Sequence, residues 1–397
     1  MKRIIALMLV FGLLLAGCGG APTEVDVHKS PSKVPVVETD TKDFAVNLFR
    51  AAAKEGENTL VSPLSVLTAL AMAANGAEGD TLTQMETTLG GAREELNDWL
   101  GDFKDDDQLK QAGGIWVKND RKFTPDDDFL TTVQKVYDAV LNEASFDEST
   151  RDEINDWVRE ETDGMIDGII DEIPQEAIMY LINALSFEAA WANPYEEHQV
   201  QEGVFTTEDG RELDVEMMYG TAYDYLRTEN ATGFRQWYEG EDYAFVALLP
   251  NEGVTVAEVV DSLTGEGLSE LLAKPEVDVV QTAIPKFEAE SDFELSEVLC
   301  GMGMDKAFDD TLANFSGLGT YENQNIYINR VLHKTSIRVA EQGTKAGAAT
   351  AVEIVCGSAA FGPAEEPTTV YLDRPFVYMI VEKQSGMPLF MGTCMEP

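Results

Sequence analysis

The sequence predicts an α+β fold in one large domain that begins near residue 42, and three observations carry that prediction. Residues 178–185 and 243–250 form near-continuous apolar runs, the pattern of strands covered on both faces. Other stretches show helical spacing, the most apolar running from Ser62 to Asn75. After residue 42 there is no internal repeat and no second composition break, and a hydrophobic content of 44% is ample for a substantial core.

Charge narrows the function. The 397 residues include 28 basic and 72 acidic side chains, a formal charge of −44. Such a surface repels nucleic acid and anionic lipid, whose binding depends on Lys and Arg neutralising phosphates, and it argues equally against a heparin-type polyanion. The runs at Asp105-Asp106-Asp107 and Asp126-Asp127-Asp128 belong on solvated faces. Cysteines stand at 18, 300, 356 and 394 without metal-ligand spacing, and once Cys18 is accounted for an odd three remain, which allow at most one disulfide; none is expected. Three histidines, at 28, 198 and 333, offer little for a metal site or acid–base catalysis; neither metal nor cofactor is expected.

Taken in order, Lys2 and Arg3 precede an apolar run over residues 4–17, too short to span a bilayer and flanked as in a signal peptide, which is assigned to residues 1–17. Leu15-Ala16-Gly17-Cys18 resembles the prokaryotic lipobox, which implies acylation of Cys18 and anchoring at the outer face of the membrane. Residues 18–41, rich in Gly, Pro, Ser and acids, read as a tether, so the protein is expected outside the cytoplasm, lipid-anchored or secreted. Folded structure opens with a helix carrying Phe44, Val46, Leu48 and Phe49. Ser62 as N-cap and Pro63 in the first turn start the next, whose stripe of Val66, Leu67, Leu70, Ala71 and Ala74 ends at Asn75-Gly76. A strand is expected at 113–118 and a helix start at Thr124-Pro125-Asp126. Ile154, Trp157 and Val158 share a helical face, with Gly164 and Gly168 at its exit. Strands follow at 217–226 and within 235–250, then a helix over 256–272 and another within 291–308 that ends near Gly301 or Gly303.

Near the C-terminus the character changes. From Thr344, the residues Thr344, Ala346, Ala348, Thr350, Val352 and Ile354 alternate onto one face, small or apolar throughout; Lys345, Gly347, Ala349, Ala351, Glu353 and Val355 take the other. The alternation suits a half-buried strand, yet Gly, Ala and Thr are a poor composition for a permanent one. A segment that lives first as a solvated loop and later enters a sheet has this pattern.

This tail, with Arg374-Pro375-Phe376 and Pro388-Leu389-Phe390-Met391-Gly392, resembles the C-terminal region of the serpins, and the likeness covers nearly everything after residue 42. It implies a large central mixed β-sheet with additional sheets, about nine helices and an exposed reactive loop at about 341–373. It places a mobile hinge at Glu341, Gly343, Thr344, Ala346, Gly347, Ala348 and Ala349. It also places a breach at the top of the sheet in Trp191 with the ion pair Lys286–Glu341, and a polar shutter beneath the sheet's midpoint in Ser62, Ser65, Asn183 and His333. The helix carrying Ile154 and Trp157 is implied to lie across the front of that sheet.

The resemblance further implies a monomeric suicide inhibitor whose partner is a target protease, held covalently after attack on the loop, and not an enzyme. Counted from Glu341 in the family's usual spacing, the reactive bond is Gly357–Ser358, with Cys356–Gly357 the alternative because the stretch before Arg374 is lengthened. Small residues there suit an elastase-like or subtilisin-like serine protease; a papain-like cysteine protease, or a non-inhibitory binder on the same fold, are the alternatives. No GxSxG elbow, HExxH, P-loop or EF-hand loop occurs, and Cys356 with His333 makes a poor catalytic pair in a stretch of small residues. The acidity itself suggests adaptation to high salt, where counterions screen self-repulsion. Thermal unfolding is then expected at clearly higher temperature in molar salt than at low salt, and an unmoved melting point rules the adaptation out.

Overall fold

A computed structural model of the chain describes residues 41–102, 107–119, 122–175, 177–322, 324–344 and 368–397. Its architecture is α+β. The helix Pro63–Ala74 is apolar on every side and has every residue but Ala69 buried. Ser62 caps it by accepting the Ser65 N–H, with Pro63 in the first turn where a missing N–H costs nothing. It packs behind the strands Met179–Phe187 and Pro388–Cys394.

Behind this helix lies a nine-stranded sheet, ordered Thr59–Val61, Pro388–Cys394, Phe376–Glu382, Tyr243–Pro250, Ala231–Trp237, Glu212–Arg227, Glu276–Pro285 and Thr368–Tyr371, with Val200–Thr206 paired to Glu212–Arg227. Tyr243–Pro250 and Pro388–Cys394 are buried along their whole length, as continuous apolar runs require.

The sheet that faces the other way is divided. One part has three strands, Val140–Ala144, Leu109–Lys118 and Met179–Phe187, and mixes a parallel with an antiparallel pairing. The other orders Phe287–Glu294, Leu332–Ala340, Gly343–Thr344 and Ala189–Ala190. Met179–Phe187 leads directly into Ala189–Ala190, so the two parts join at the top. Below that, among the described residues, no ladder connects Met179–Phe187 to Leu332–Ala340. A cleft of about 530 Å³ opens in the lower part of this seam, walled by residues 178–183 and 331–334 and floored by Val66, Ala69 and Leu70 of the buried helix.

Helix Glu148–Glu161 lies on the three-stranded part. Ile154 and Val158 pack with Trp116, Phe146 and Ile182 in a small separate core. Trp157 meets Trp116 edge-on at 5.1 Å, and the Trp116 indole N–H donates to Glu153 Oε1 at 3.0 Å.

Two expected helices differ. The one expected over 256–272 is two helices, Val256–Ser262 and Gly265–Ala273, because Leu263 is extended and Thr264 caps a new start by accepting the Gly267 N–H. Gly265 there donates to Asp43 Oδ1 at 2.8 Å, in a space where a Cβ would come within 2.5 Å of that oxygen. In the 291–308 stretch, Ser291–Glu294 belong to the Phe287–Glu294 strand. Helix resumes only at Ser296–Leu299, widens to a π turn over Cys300–Met304 where Gly303 takes φ +113°, and closes at Asp305–Phe308. Cys300 and Cys394 are free thiols, and Asp126, Asp127 and Asp128 are exposed.

Candidate functional site

Most of the residues singled out in the sequence lie along this seam. After the Leu332–Ala340 strand the chain turns at Glu341-Gln342 and comes back as Gly343–Thr344, antiparallel to both neighbours. Gly343 pairs with Ala340 and Ala190, and Thr344 with Val339 and Ala189. A Cβ on Gly343 would stand 2.0 Å from the Ala189 carbonyl oxygen, so only glycine passes between the strands here. Thr344 is 1% exposed, and its hydroxyl shares a hydrogen bond of 2.5 Å with the Tyr238 hydroxyl. The other hinge positions (Ala346, Gly347, Ala348 and Ala349), the bond at Cys356, Gly357 and Ser358, and the acylation candidate Cys18 lie outside the described residues.

At the top of the seam Trp191 stacks flat on Tyr238, centroids 4.6 Å apart and planes 6° from parallel. Its indole N–H donates to the Ala340 carbonyl at 2.8 Å and its backbone N–H to that of Gln342 at 2.9 Å, while Tyr195 N–H donates to Glu341 O at 2.9 Å. The turn that precedes Gly343–Thr344 is therefore held on its backbone. Lys286 Nζ lies 2.9 Å from Glu341 Oε2 and 3.3 Å from Glu216 Oε2. The Lys286 ammonium donates toward the Glu341 carboxylate, and that interaction raises the Lys286 pKa and lowers that of Glu341. All three side chains keep contact with water, so the pairing is worth about 0–1 kcal/mol and serves to place the turn.

Lower down, the Ser62 N–H donates to His333 Nε2 at 2.9 Å, and the Ser62 hydroxyl donates to the Leu389 carbonyl at 2.8 Å. Ser65 N–H donates to Ser62 Oγ, and Ser65 Oγ to the Asn183 carbonyl at 3.2 Å. Three of the four expected shutter side chains are thus linked. Among the described residues Asn183 joins through its backbone alone: its side-chain Oδ1 is buried without a hydrogen-bond partner, in a residue that lines the cleft.

Two members of the site were not foreseen. Tyr238 sits in a strand-to-turn stretch whose sequence gives no hint that its ring supports Trp191 and its hydroxyl meets Thr344. Glu216 is one carboxylate among many, and only the strand geometry brings it to Lys286. Of the remaining histidines within the described residues, His198 is exposed beside Glu196.

A family model described as Serpin (serine protease inhibitor) matches residues 39–397. An uncharacterized serpin-like protein of Thermococcus kodakarensis is 31% identical over 94% of this chain and 89% of its own length. Alpha-1-antitrypsin 1-2 of Mus musculus is 28% identical over 91% and 89%. Among solved structures the chain is similar to the thermophilic serpin tengpin in its native state, with 40% identity, a TM-score of 0.83, and coverage of 90% of this chain and 94% of that one.

His333 makes the site acid-sensitive. Burial lowers its pKa from 6.5 to about 4, and Nε2 must stay unprotonated to accept from Ser62. As pH falls below 6.5 the unfolded chain takes up a proton that the folded chain refuses. Stability is therefore lost between pH 6.5 and 4, by an amount on the order of 3 kcal/mol. Urea unfolding at pH 7 and pH 4.5 is expected to show a larger drop in midpoint for the wild type than for His333→Gln; equal drops would place the acid sensitivity elsewhere.

Proposed function

The chain belongs to the serpin family, and from that premise we propose that it is a suicide-substrate inhibitor of an elastase-like or subtilisin-like serine protease. Members of this family are generally protease inhibitors and not catalysts. The observation that carries the reading is the position of Gly343–Thr344, a two-residue strand at the head of a seam whose edges, among the described residues, are joined by no other ladder.

In this reading a protease attacks the loop at Gly357–Ser358, or at Cys356–Gly357, and becomes esterified to the residue before the cut. Release of that end lets the segment beyond Thr344 follow it into the seam. Continued in the register already begun, residue 350 comes to lie between Asn183 and His333, on the inward face that it shares with Thr344. That is where the unpartnered Asn183 oxygen is found. A dozen or so residues at ~3.3 Å each carry the tethered protease roughly 40 Å. New ladder bonds at about 0.5–1.5 kcal/mol each, with apolar burial, release on the order of ten kcal/mol. This compares with the whole stability of a domain, enough to distort the protease before it deacylates. The intact state is then a kinetic trap, stored strain released by a cut.

Lipidation at Cys18 and the tether over residues 18–41 would hold this inhibitor outside the cytoplasm at the membrane surface, where it meets foreign or stray proteases. The neutral residues around the bond favour small-residue proteases over trypsin-like ones.

Incubation with elastase and subtilisin is expected to give an SDS-stable complex near the summed mass and a released C-terminal peptide beginning at Ser358 or Gly357. The loop-nicked protein is expected to melt well above the intact one. Failure to gain heat stability after the cut would make this a non-inhibitory binder. In Thr344→Arg an unpaired guanidinium would have to be buried at a site now 1% exposed, at several kcal/mol. That variant is expected to be cleaved as a plain substrate, with complex yield reduced at least tenfold; full yield would exclude insertion through the hinge.

A further inference from the structure

Residues 165–175 leave the end of the Glu148–Glu161 helix and cross the lower seam toward Met179–Phe187. Ile169, Ile170 and Pro174 of this segment line the 530 Å³ cleft. The segment belongs to no strand or helix. Ile166 and Ile170 seat it against Trp116, Ile154 and Val158.

One side chain supplies three of its hydrogen bonds to the rest of the molecule, more than any other. Asn155 Oδ1 accepts the N–H groups of Ile169 at 2.8 Å and Ile170 at 2.9 Å, while its Nδ2 donates to the Ile170 carbonyl at 2.7 Å. Beyond residue 166 the Ala177 N–H closes a short turn onto the Pro174 carbonyl at 3.1 Å, and the other described ties, Arg159 to the Asp167 carbonyl and carboxylate and Lys118 to the Gln175 carbonyl, come from long exposed cations. Those compete with water and lose rotamer freedom when held. Asn155, half-buried and planar, satisfies three backbone groups at once. The backbone is shaped to it: a Cβ on Gly168 would lie 2.7 Å from Asn155 Cγ.

We infer that Asn155 is a latch. It holds residues 165–175 over the lower half of the seam and so sets how fast a strand can fill that half. The inference rests on the loop-insertion reading above and adds a positioning residue to it. In the register begun at Thr344, an entering strand passes the cleft walls at 178–183 and 331–334 only from about residue 349 onward. The latch therefore acts after the hinge has entered, on the stage that completes the movement.

The test uses a synthetic peptide of residues 344–357 added to the intact, full-length protein, with incorporation followed as conversion to a urea-resistant species on gels. Asn155→Ala is expected to incorporate the peptide about tenfold faster than wild type, equivalent to about 1.4 kcal/mol in the barrier. Gly168→Ala, which alters no polar group but displaces the Asn155 amide, is expected to act in the same direction. The Asn155→Ala/Gly168→Ala double variant is expected to be no faster than the faster single variant, which general loosening would not produce. Should Asn155→Ala fail to fold, Asn155→Asp, which keeps both acceptor bonds and loses the donor, is expected about threefold faster than wild type. Rates within twofold of wild type, or additive effects in the double variant, overturn the latch while insertion stands. No incorporation into the wild type overturns insertion and the latch together.

Discussion

Backbone N–H and C=O groups along a strand edge must be paired or hydrated, and that constraint governs this molecule. Met179–Phe187 and Leu332–Ala340 face one another along the seam without a ladder between them among the described residues. Side chains can fill a cleft between two such edges only in part, because the groups left over alternate in register as donors and acceptors. Another strand satisfies them all. Gly343–Thr344 already does so for the topmost pairs, bonding to Ala340 and Val339 on one side and Ala190 and Ala189 on the other. On the proposed reading, everything below follows from extending that pattern.

The groups at the head of the seam act on the turn and not on the segment that would move. Trp191 and Tyr195 bind the carbonyls of Ala340, Gln342 and Glu341, and Lys286 holds the Glu341 side chain. These contacts fix where a strand starts and in which register. They need not break as residues further along enter. Thr344 fits the same logic: its hydroxyl is satisfied by Tyr238 in the position it would keep after insertion. On the proposed reading the cut-dependent change is confined to residues beyond Thr344, whose small side chains offer little obstruction.

Much of this was legible in the sequence because it rests on local rules. The buried helix announced itself by Ser62, Pro63 and an apolar surface on all sides, and the strand Tyr243–Pro250 by its unbroken run. Trp191, Lys286 and Glu341 lie together at the head of the seam, and Ser62, Ser65 and His333 are joined lower down, all six residues having been singled out in the sequence. What stayed hidden depends on approach between distant segments. Glu216 reaches Lys286 through strand pairing, and Tyr238 reaches Trp191 through an isolated antiparallel bridge between distant segments. Neither carries a local signature. The helix expected at 256–272 failed for a related reason: its apolar spacing runs on through Leu263, but Thr264 offers a cap and Gly265 is taken up by Asp43. Asn183 shows the limit most clearly, since its type and position were readable while the unpartnered state of its side chain depends on the cleft beside it.

A molecule whose filled seam is the more stable arrangement persists only through barriers, and barriers must sit where contacts break before new ones form. At the head of the seam few contacts break, as the turn and Thr344 keep theirs. At the foot, Ile169, Ile170 and Pro174 stand beside the space that a strand would take, tied back by Asn155. The buried helix beneath offers no room on the other side, with Val66, Ala69 and Leu70 forming the floor. On the proposed reading something at the foot must give way as a strand enters, and a segment outside any strand or helix yields at lower cost than a strand or a helix would. On the proposed reading the head of the seam sets direction, the foot sets rate, and the cut supplies the free end that neither can supply alone.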